Sequence, residues 1–227
     1  MEENIDVKER IAYLSSFVLP ERFERMCQVV AQRTRYMTIC LENTFHPQNA
    51  SAVVRTAEAL GLQDIYTVET LTRFDPSTKI VRGTDKWVDI HRYRAYEGGS
   101  TCAVVSDLKR AGYRIVATTP HEGDLTPETF DVTRGKFAVF FGTEHAGISD
   151  DVIAQADEFL KIPMYGFVES FNVSVCAAII IQRLTEKLRA SSVDWQLSSR
   201  EQDELLYRWM CDSIKDSTRI LERRFGK

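Results

Sequence analysis

Phe137-Ala-Val-Phe-Phe-Gly-Thr-Glu-His-Ala-Gly-Ile-Ser149 passes from an unbroken apolar run through a polar, glycine-bounded turn towards a helix start. A short run without in-out alternation predicts a strand covered on both faces, as in a parallel sheet. The same grammar extends outward in both directions. Upstream, Cys102–Arg110 reads as a helix and Tyr113–Thr118 as a strand, with Pro120 to Gly123 as loop signals between that strand and the next. Downstream come a short helix at Ile148–Ala156, a strand at Phe159–Ile162 and a long helix at Asn172–Leu188. Further upstream, Tyr36–Leu41 is a β-branched apolar run, Ala50–Leu60 has helical periodicity closed by Gly61, and Ile65–Val68 is another strand. This alternation predicts an α/β fold with a mostly parallel sheet and helices on both faces.

The flanks differ from this middle. Val7–Gln32 reads as helical, with Pro20 marking a break or a new start, because proline disrupts a helix interior but suits a first turn. Leu71–Gly99 reads as a polar connection containing Gly83-Thr-Asp-Lys-Trp87, and a charged stretch, Arg189–Ser199, leads to a final helix from about Arg200 to Phe225. The expected organisation is one α/β domain over residues 36–190 between helical extensions at 1–35 and 191–227, with no internal repeat.

Composition narrows the function classes. An apolar share of 44% with 27% charged residues is that of an ordinary globular chain and argues against extensive disorder. The first apolar cluster, Ile11–Leu19, is short and interrupted by Tyr13, Ser15 and Ser16, so neither a signal peptide nor a membrane partner is expected. Cys27, Cys40, Cys102, Cys176 and Cys211 lie far apart, an odd set that predicts reduced thiols and a cytoplasmic location. His46, His91, His121 and His145 lack ligand spacing with each other or with the cysteines, so no metal is expected. The net charge of −4 does not suit a nucleic-acid binder, yet Arg22, Arg25, Arg33 and Arg35 gather before the first strand. Arg219, Arg223, Arg224 and Lys227 gather at the other end, and a basic surface from the two ends competes with the reading of solvated helix faces.

Three constellations sit at strand-to-helix junctions, outside the carboxyl ends of strands where open α/β sheets bind ligands. The first runs from Asn49 to Gly61. At ~100° per residue, Asn49 and Arg55 lie about 120° apart on a helix and cannot share a face. Val53, Ala57 and Leu60 form the apolar stripe, Asn49 suits the helix entrance as a cap, and Arg55 is an obligate cation that calls for an anionic partner. The second is the turn after Phe141, whose glycines serve either a tight bend or a close approach to a ligand. It is neither a GxGxxG fingerprint nor a P-loop, which argues against dinucleotide chemistry. The third, Ile162 to Ser174, mixes Met164, Phe167, Val168 and Phe171 with Ser170 and Asn172, the composition of a small-molecule pocket wall or, for the two polar residues, of helix caps.

Taken in order, N-(x)5-R, FFGTEHAG and IPM-(x)5-S-x-NVSVxAA resemble the three motifs of the SpoU/TrmH family of the SPOUT superfamily, RNA ribose 2′-O-methyltransferases. RFERMCQVVAQRTRY, LEN-(x)2-HPQN and GTDKW extend the likeness over about residues 20–190, where it resembles the tRNA-modifying members. The resemblance implies an α/β fold threaded into a trefoil knot, a homodimer, and methyl transfer from S-adenosyl-L-methionine to a ribose 2′-hydroxyl of tRNA, at the D-loop guanosine of position 18. It implies catalysis by Asn49, Arg55, Glu144, Ser170 and Asn172. Cofactor contacts fall by the same resemblance on Thr118, Gly142, Thr143, Ile162, Met164, Ser170, Asn172 and Val173. RNA contacts are expected at Arg25, Arg33, Arg35, Arg219, Arg223 and Arg224. The alternatives are a ribosomal RNA methyltransferase of the same family, a non-catalytic RNA-binding or assembly protein keeping the fold, and, most remotely, a Rossmann-like oxidoreductase.

Overall fold

The computed structural model describes residues 2–44, 46–75, 83–119, 125–143 and 146–226, with side chains from residue 7 onward. The predicted loop at Pro120–Gly123 lies outside the described residues. In chain order the elements are α1 (Glu2–Ser15), α2 (Pro20–Val30), β1 (Met37–Glu42), α3 (Pro47–Ala59), β2 (Asp64–Glu69) and β3 (Asp89–Arg94). There follow α4 (Thr101–Arg110), β4 (Arg114–Thr118), β5 (Phe137–Phe141), α5 (Asp150–Ile153), β6 (Glu158–Leu160), α6 (Val173–Ala190), α7 (Ser199–Ser213) and α8 (Ser217–Phe225). Short 3-10 turns precede and follow β3, at Thr84–Lys86 and Ala95–Glu97. The chain forms two compact units, Thr34–Trp195 and Met1–Arg33 with Gln196–Lys227.

In the first unit the six strands form one sheet in the order β3-β2-β1-β5-β4-β6, and every neighbouring pair is parallel. Successive strand residues serve opposite faces. Ile39, Leu41, Val139, Phe141 and Val116 pack with Ala50, Val53 and Ala57 of α3 and Ala177, Ile180 and Leu184 of α6. Cys40, Ala138, Phe140, Ile115 and Ala117 pack with Val104, Val105 and Leu108 of α4 and Val152 of α5. Both faces are therefore covered, which is why β1 and β5 read as unbroken apolar runs. Lys187 fastens the far end of α6 by donating to the carbonyls of Pro127, Glu128 and Phe130 at 3.2, 2.7 and 2.6 Å.

Three expectations need correction. The stretch read as a polar connection contains β3, Asp-Ile-His-Arg-Tyr-Arg, an edge strand whose polarity is satisfied by pairing. Arg92 and Arg94 face the buried Glu69 carboxylate at 3.7 Å, and His91 Nε2 lies 2.9 Å from Asp64. Arg35, expected to face RNA, belongs to the same network, donating to Asp64 at 2.9 Å and Asp89 at 3.0 Å. The single final helix is two, α7 and α8, because Ile214 is extended (φ −102, ψ 121) and Asp216 left-handed (φ 58), neither of which an α-helix contains.

The second unit is helical. Ile11, Leu14, Met26, Val30, Leu205, Leu206, Trp209, Met210 and Leu221 form its buried apolar set. A capping box, Ser198 with Glu201, starts α7. Arg33, also expected on an RNA-facing surface, is only 1% exposed and stacks its guanidinium over the Trp209 ring at 5.3 Å, so packing holds it inside. Arg22, Arg25, Arg219, Arg223 and Arg224 are exposed, and Lys227 lies outside the described residues.

Arg35→Gln leaves the Asp64 and Asp89 carboxylates without their shared cation, at a cost of about 3 kcal/mol, the low end for broken buried pairs because part of the guanidinium meets water. A urea titration should show the lower midpoint; an unchanged midpoint with weakened RNA binding would return Arg35 to the RNA-facing set.

Candidate active site

The strand order reverses between β1 and β5: from β1 the chain proceeds to β2 and β3 on one side, and β5 leads to β6 beyond β4 on the other. Ligands of parallel sheets bind at the carboxyl ends beside such a switch. Leu41 pairs with Phe141, so Glu42 and Gly142 leave the sheet at the same level. All three motifs begin at this edge, from β1, β5 and β6.

The first motif opens α3 earlier than expected. Pro47 occupies the first turn, where its fixed φ suits a helix, and His46 takes the cap position. Asn49 is therefore inside the helix and not its cap. Its Oδ1 accepts a hydrogen bond from Asn172 Nδ2 at 3.2 Å, across 123 residues of sequence. Asn172 is the actual helix cap, its Oδ1 accepting from Ser174 N at 2.9 Å and Ser174 Oγ at 2.6 Å at the start of α6. One amide thus ends a helix and joins the first motif to the third. Arg55 lies on the exposed face of α3, while Val53 and Ala57 are buried, as the apolar stripe expected of this helix requires.

The second motif is a closed turn. Thr143 N donates to Gly147 O at 2.9 Å and Gly147 N to Thr143 O at 3.2 Å, while Thr143 Oγ1 accepts from Ala146 N at 2.9 Å. Gly147 has φ 69, in the left-handed region, and a Cβ on Gly142 would stand 2.1 Å from the Gly147 carbonyl. The two glycines are required by the turn itself. Its far end is held by Glu42, buried at the tip of β1, which accepts from Ser149 N at 3.0 Å and Ser149 Oγ at 2.6 Å. Thr101 Oγ1, on the first turn of α4, donates to the same carboxylate at 2.6 Å. Beside it Asn43, at φ 49, accepts from Thr70 N at 2.9 Å and Leu71 N at 2.8 Å, tying the loop after β1 to the end of β2. Glu42 and Asn43 fall within the LEN-(x)2-HPQN likeness but received no role from the sequence; the available signal was an acid closing a run of apolar residues.

Thr118, at the end of β4, donates to Phe140 O at 2.7 Å, and β4 lies between β5 and β6. Thr118, Gly142, Thr143, Ile162 and Met164 consequently gather at three adjacent strand exits, with Val173 in the first turn of α6. Ser170 is exposed, and Glu144 lies outside the described residues. Of the apolar residues expected to form a pocket wall, Met164 is half-buried, while Phe167, Val168 and Phe171 are exposed, Phe167 fully so; Tyr165 beside them is exposed too. Burial pushes the Cys176 thiol up to about 11, which disfavours its thiolate in this first turn of α6. Among the described residues no group of three His, Cys, Asp or Glu side chains is placed to hold a metal.

A parallel sheet with polar loops converging at its switch point is the architecture of a nucleotide- or cofactor-binding enzyme. A profile of the SpoU rRNA Methylase family matches residues 36–182. The chain is 36% identical over 211 residues to a tRNA (guanosine(18)-2'-O)-methyltransferase of Borreliella burgdorferi, covering 93% of this chain and 94% of that one. It is 32% identical over 195 residues to the Escherichia coli K12 protein of the same description, covering 83% and 81%. The crystal structure of the A. aeolicus TrmH/SpoU tRNA modifying enzyme is similar at a TM-score of 0.74 and 26% identity, over 85% of this chain and 96% of that one. The chain belongs to the SpoU methylase family.

Gly142→Ala forces its methyl group into the backbone of Gly147 and Ile148, and overpacking of this kind costs about 1–3 kcal/mol. The expected result is faster amide exchange at Gly147 with a modest fall in melting temperature; full protection at Gly147 would show that the turn does not need the close approach.

Proposed function

We propose that this chain transfers the methyl group of S-adenosyl-L-methionine to the ribose 2′-hydroxyl of guanosine 18 in tRNA. The observation that carries the reading is the Asn49–Asn172 hydrogen bond, which joins the helix bearing Arg55 to the loop that leaves β6. The cofactor side of the site is the row of strand exits β5, β4 and β6, and the acceptor side is β1 with α3. The two named relatives above support the choice of tRNA and of position 18.

The residues present fit the cofactor. An adenosyl group needs apolar contact with a few polar groups around it; half-buried Ile162 and Met164 follow β6, with Thr118 at the end of β4 and Thr143 following β5. The cofactor supplies an electrophilic methyl group on its sulfonium. Gly142, Thr143, Ile162 and Met164 would bind it, with Ser170, Asn172 and Val173 at its open side. Transfer then requires the 2′-oxygen to be held in line, a positioning effect that lowers barriers by several kcal/mol in well-oriented reactions. The guanidinium of Arg55 serves the developing alkoxide as a positive charge and the neighbouring phosphate as a clamp. Asn49 fixes the start of the Arg55 helix against Asn172, and Glu144 joins this catalytic set.

Exposed Arg25, Arg219, Arg223 and Arg224 would supply phosphate contacts from the helical unit, which makes binding by a chain of net charge −4 steeply salt-dependent. The exposed Tyr165, Phe167, Val168 and Phe171 favour a homodimer in which a second copy covers them. The trefoil knot belongs to the same reading. The cysteines are free, and no described helix is long and apolar enough to cross a membrane, which suits the cytoplasm.

Arg55→Ala should lower kcat/KM for tRNA by at least a hundredfold while AdoMet affinity, measured by calorimetry, stays within about twofold. A fully active variant removes Arg55 from the mechanism. Labelled AdoMet and unmodified tRNA should yield a single 2′-O-methyl group at guanosine 18; methyl groups found on ribosomal RNA and not on tRNA overturn the substrate assignment.

A further inference from the structure

Burying a carboxylate is costly unless donors surround it, and Glu42 is 2% exposed. Among the described residues its hydrogen-bond partners are neutral: Ser149 N, Ser149 Oγ and Thr101 Oγ1. The negative charge lies at the amino end of the ten-residue helix α4, where the helix dipole favours it. An apolar side chain would fill the tip of β1 at lower desolvation cost, so stability alone does not account for an acid here. What the acid does is mechanical. Gly142 begins the turn directly beside β1, and Ser149 ends it; one rigid carboxylate therefore fixes the distance between the turn's end and the strand that carries the first motif.

We propose that Glu42 is a positioning residue for cofactor binding. Its carboxylate locks Ser149, and through Ser149 the described turn residues Gly142, Thr143, Ala146 and Gly147, in the closed form that presents the turn backbone to AdoMet. Glu42 itself touches neither cofactor nor RNA. This role rests on the cofactor reading above, but the lock is a property of the protein without any ligand and is measured separately.

Glu42→Gln is the direct test. The amide either sets its NH2 against the Ser149 N–H or turns both hydroxyls into acceptors, and in each case the charge is lost. Amide exchange in the ligand-free protein should quicken at least fivefold at Thr143, Gly147 and Ser149 while β1 and β5 stay protected. The KM for AdoMet should rise at least fivefold with kcat at saturating AdoMet within about twofold, a split that general destabilisation does not produce. Ser149→Ala should reproduce both effects, and Ser149→Thr, which keeps the hydroxyl, should restore them; these variants decide the matter even if Glu42→Gln folds poorly. Unchanged exchange in Glu42→Gln or in Ser149→Ala overturns the lock, as does an equal fall in kcat and kcat/KM. If the wild-type protein binds no AdoMet, the cofactor reading fails and with it the positioning role, whereas quickened exchange in the variants would still show the lock to exist.

Discussion

Pairing of β1 with β5 is the constraint on which the rest of the molecule depends. The two strands are central, parallel and in register from Met37 with Phe137 to Leu41 with Phe141, and every residue of both is buried. Main-chain groups so deeply enclosed must be paired, and parallel pairing lines up their carboxyl ends. That alignment puts the Glu42-Asn43 end of β1 and Gly142 at one level, so two loops a hundred residues apart in sequence emerge side by side. A slip of one residue would exchange Ile39 and Leu41 with Cys40 and place the wrong side chains under α3 and α6.

At that edge a few polar groups do the assembling. Asn172 closes a helix end and reaches Asn49, Glu42 joins the turn after β5 to the start of α4, and Asn43 joins the loop after β1 to the end of β2. Each such bond is worth only about 1 kcal/mol net, but leaving a buried donor such as Thr101 Oγ1 without its acceptor costs more than that. The arrangement resists partial loosening, which is what a site that must hold two reactants in line requires. Arg55 is exposed, as suits a group that must reach an incoming phosphate.

What was legible in the sequence follows from burial. Five of the six strands announce themselves because both faces of the sheet are covered and their residues are apolar, and α3, α4 and α6 show their buried stripes. The edge strand β3 was hidden because its Asp89, His91, Arg92 and Arg94 satisfy each other's neighbours through ion pairs, a pattern that resembles a loop when partners distant in the chain are unseen. Arg33 and Arg35 were misplaced for a related reason: a cation looks like surface until an indole ring or two carboxylates are found around it. The break between α7 and α8 depends on the backbone angles of Ile214 and Asp216, which no periodicity in the sequence marks. Asn49 and Arg55 could be separated by helical pitch alone, but the partner that gives Asn49 its task stands 123 residues away, beyond the reach of any local rule.

The distance in sequence between β1 and β5 also governs how the chain reaches this state. Leu41 meets Phe141 one hundred residues later (141 − 41), and closing a loop of that length costs on the order of 4 kcal/mol in chain entropy before the contact returns anything. As the polypeptide leaves the ribosome, β1, α3 and β2 can associate early, yet Ile39 and Leu41 still lack a neighbour along one edge. That edge is an unpaired, strongly apolar strand with no proline or lysine to discourage other chains from adding to it. The interval between synthesis of Leu41 and of Phe141 is therefore the period in which a nascent molecule is most exposed to aggregation, and protection by a chaperone would matter most there.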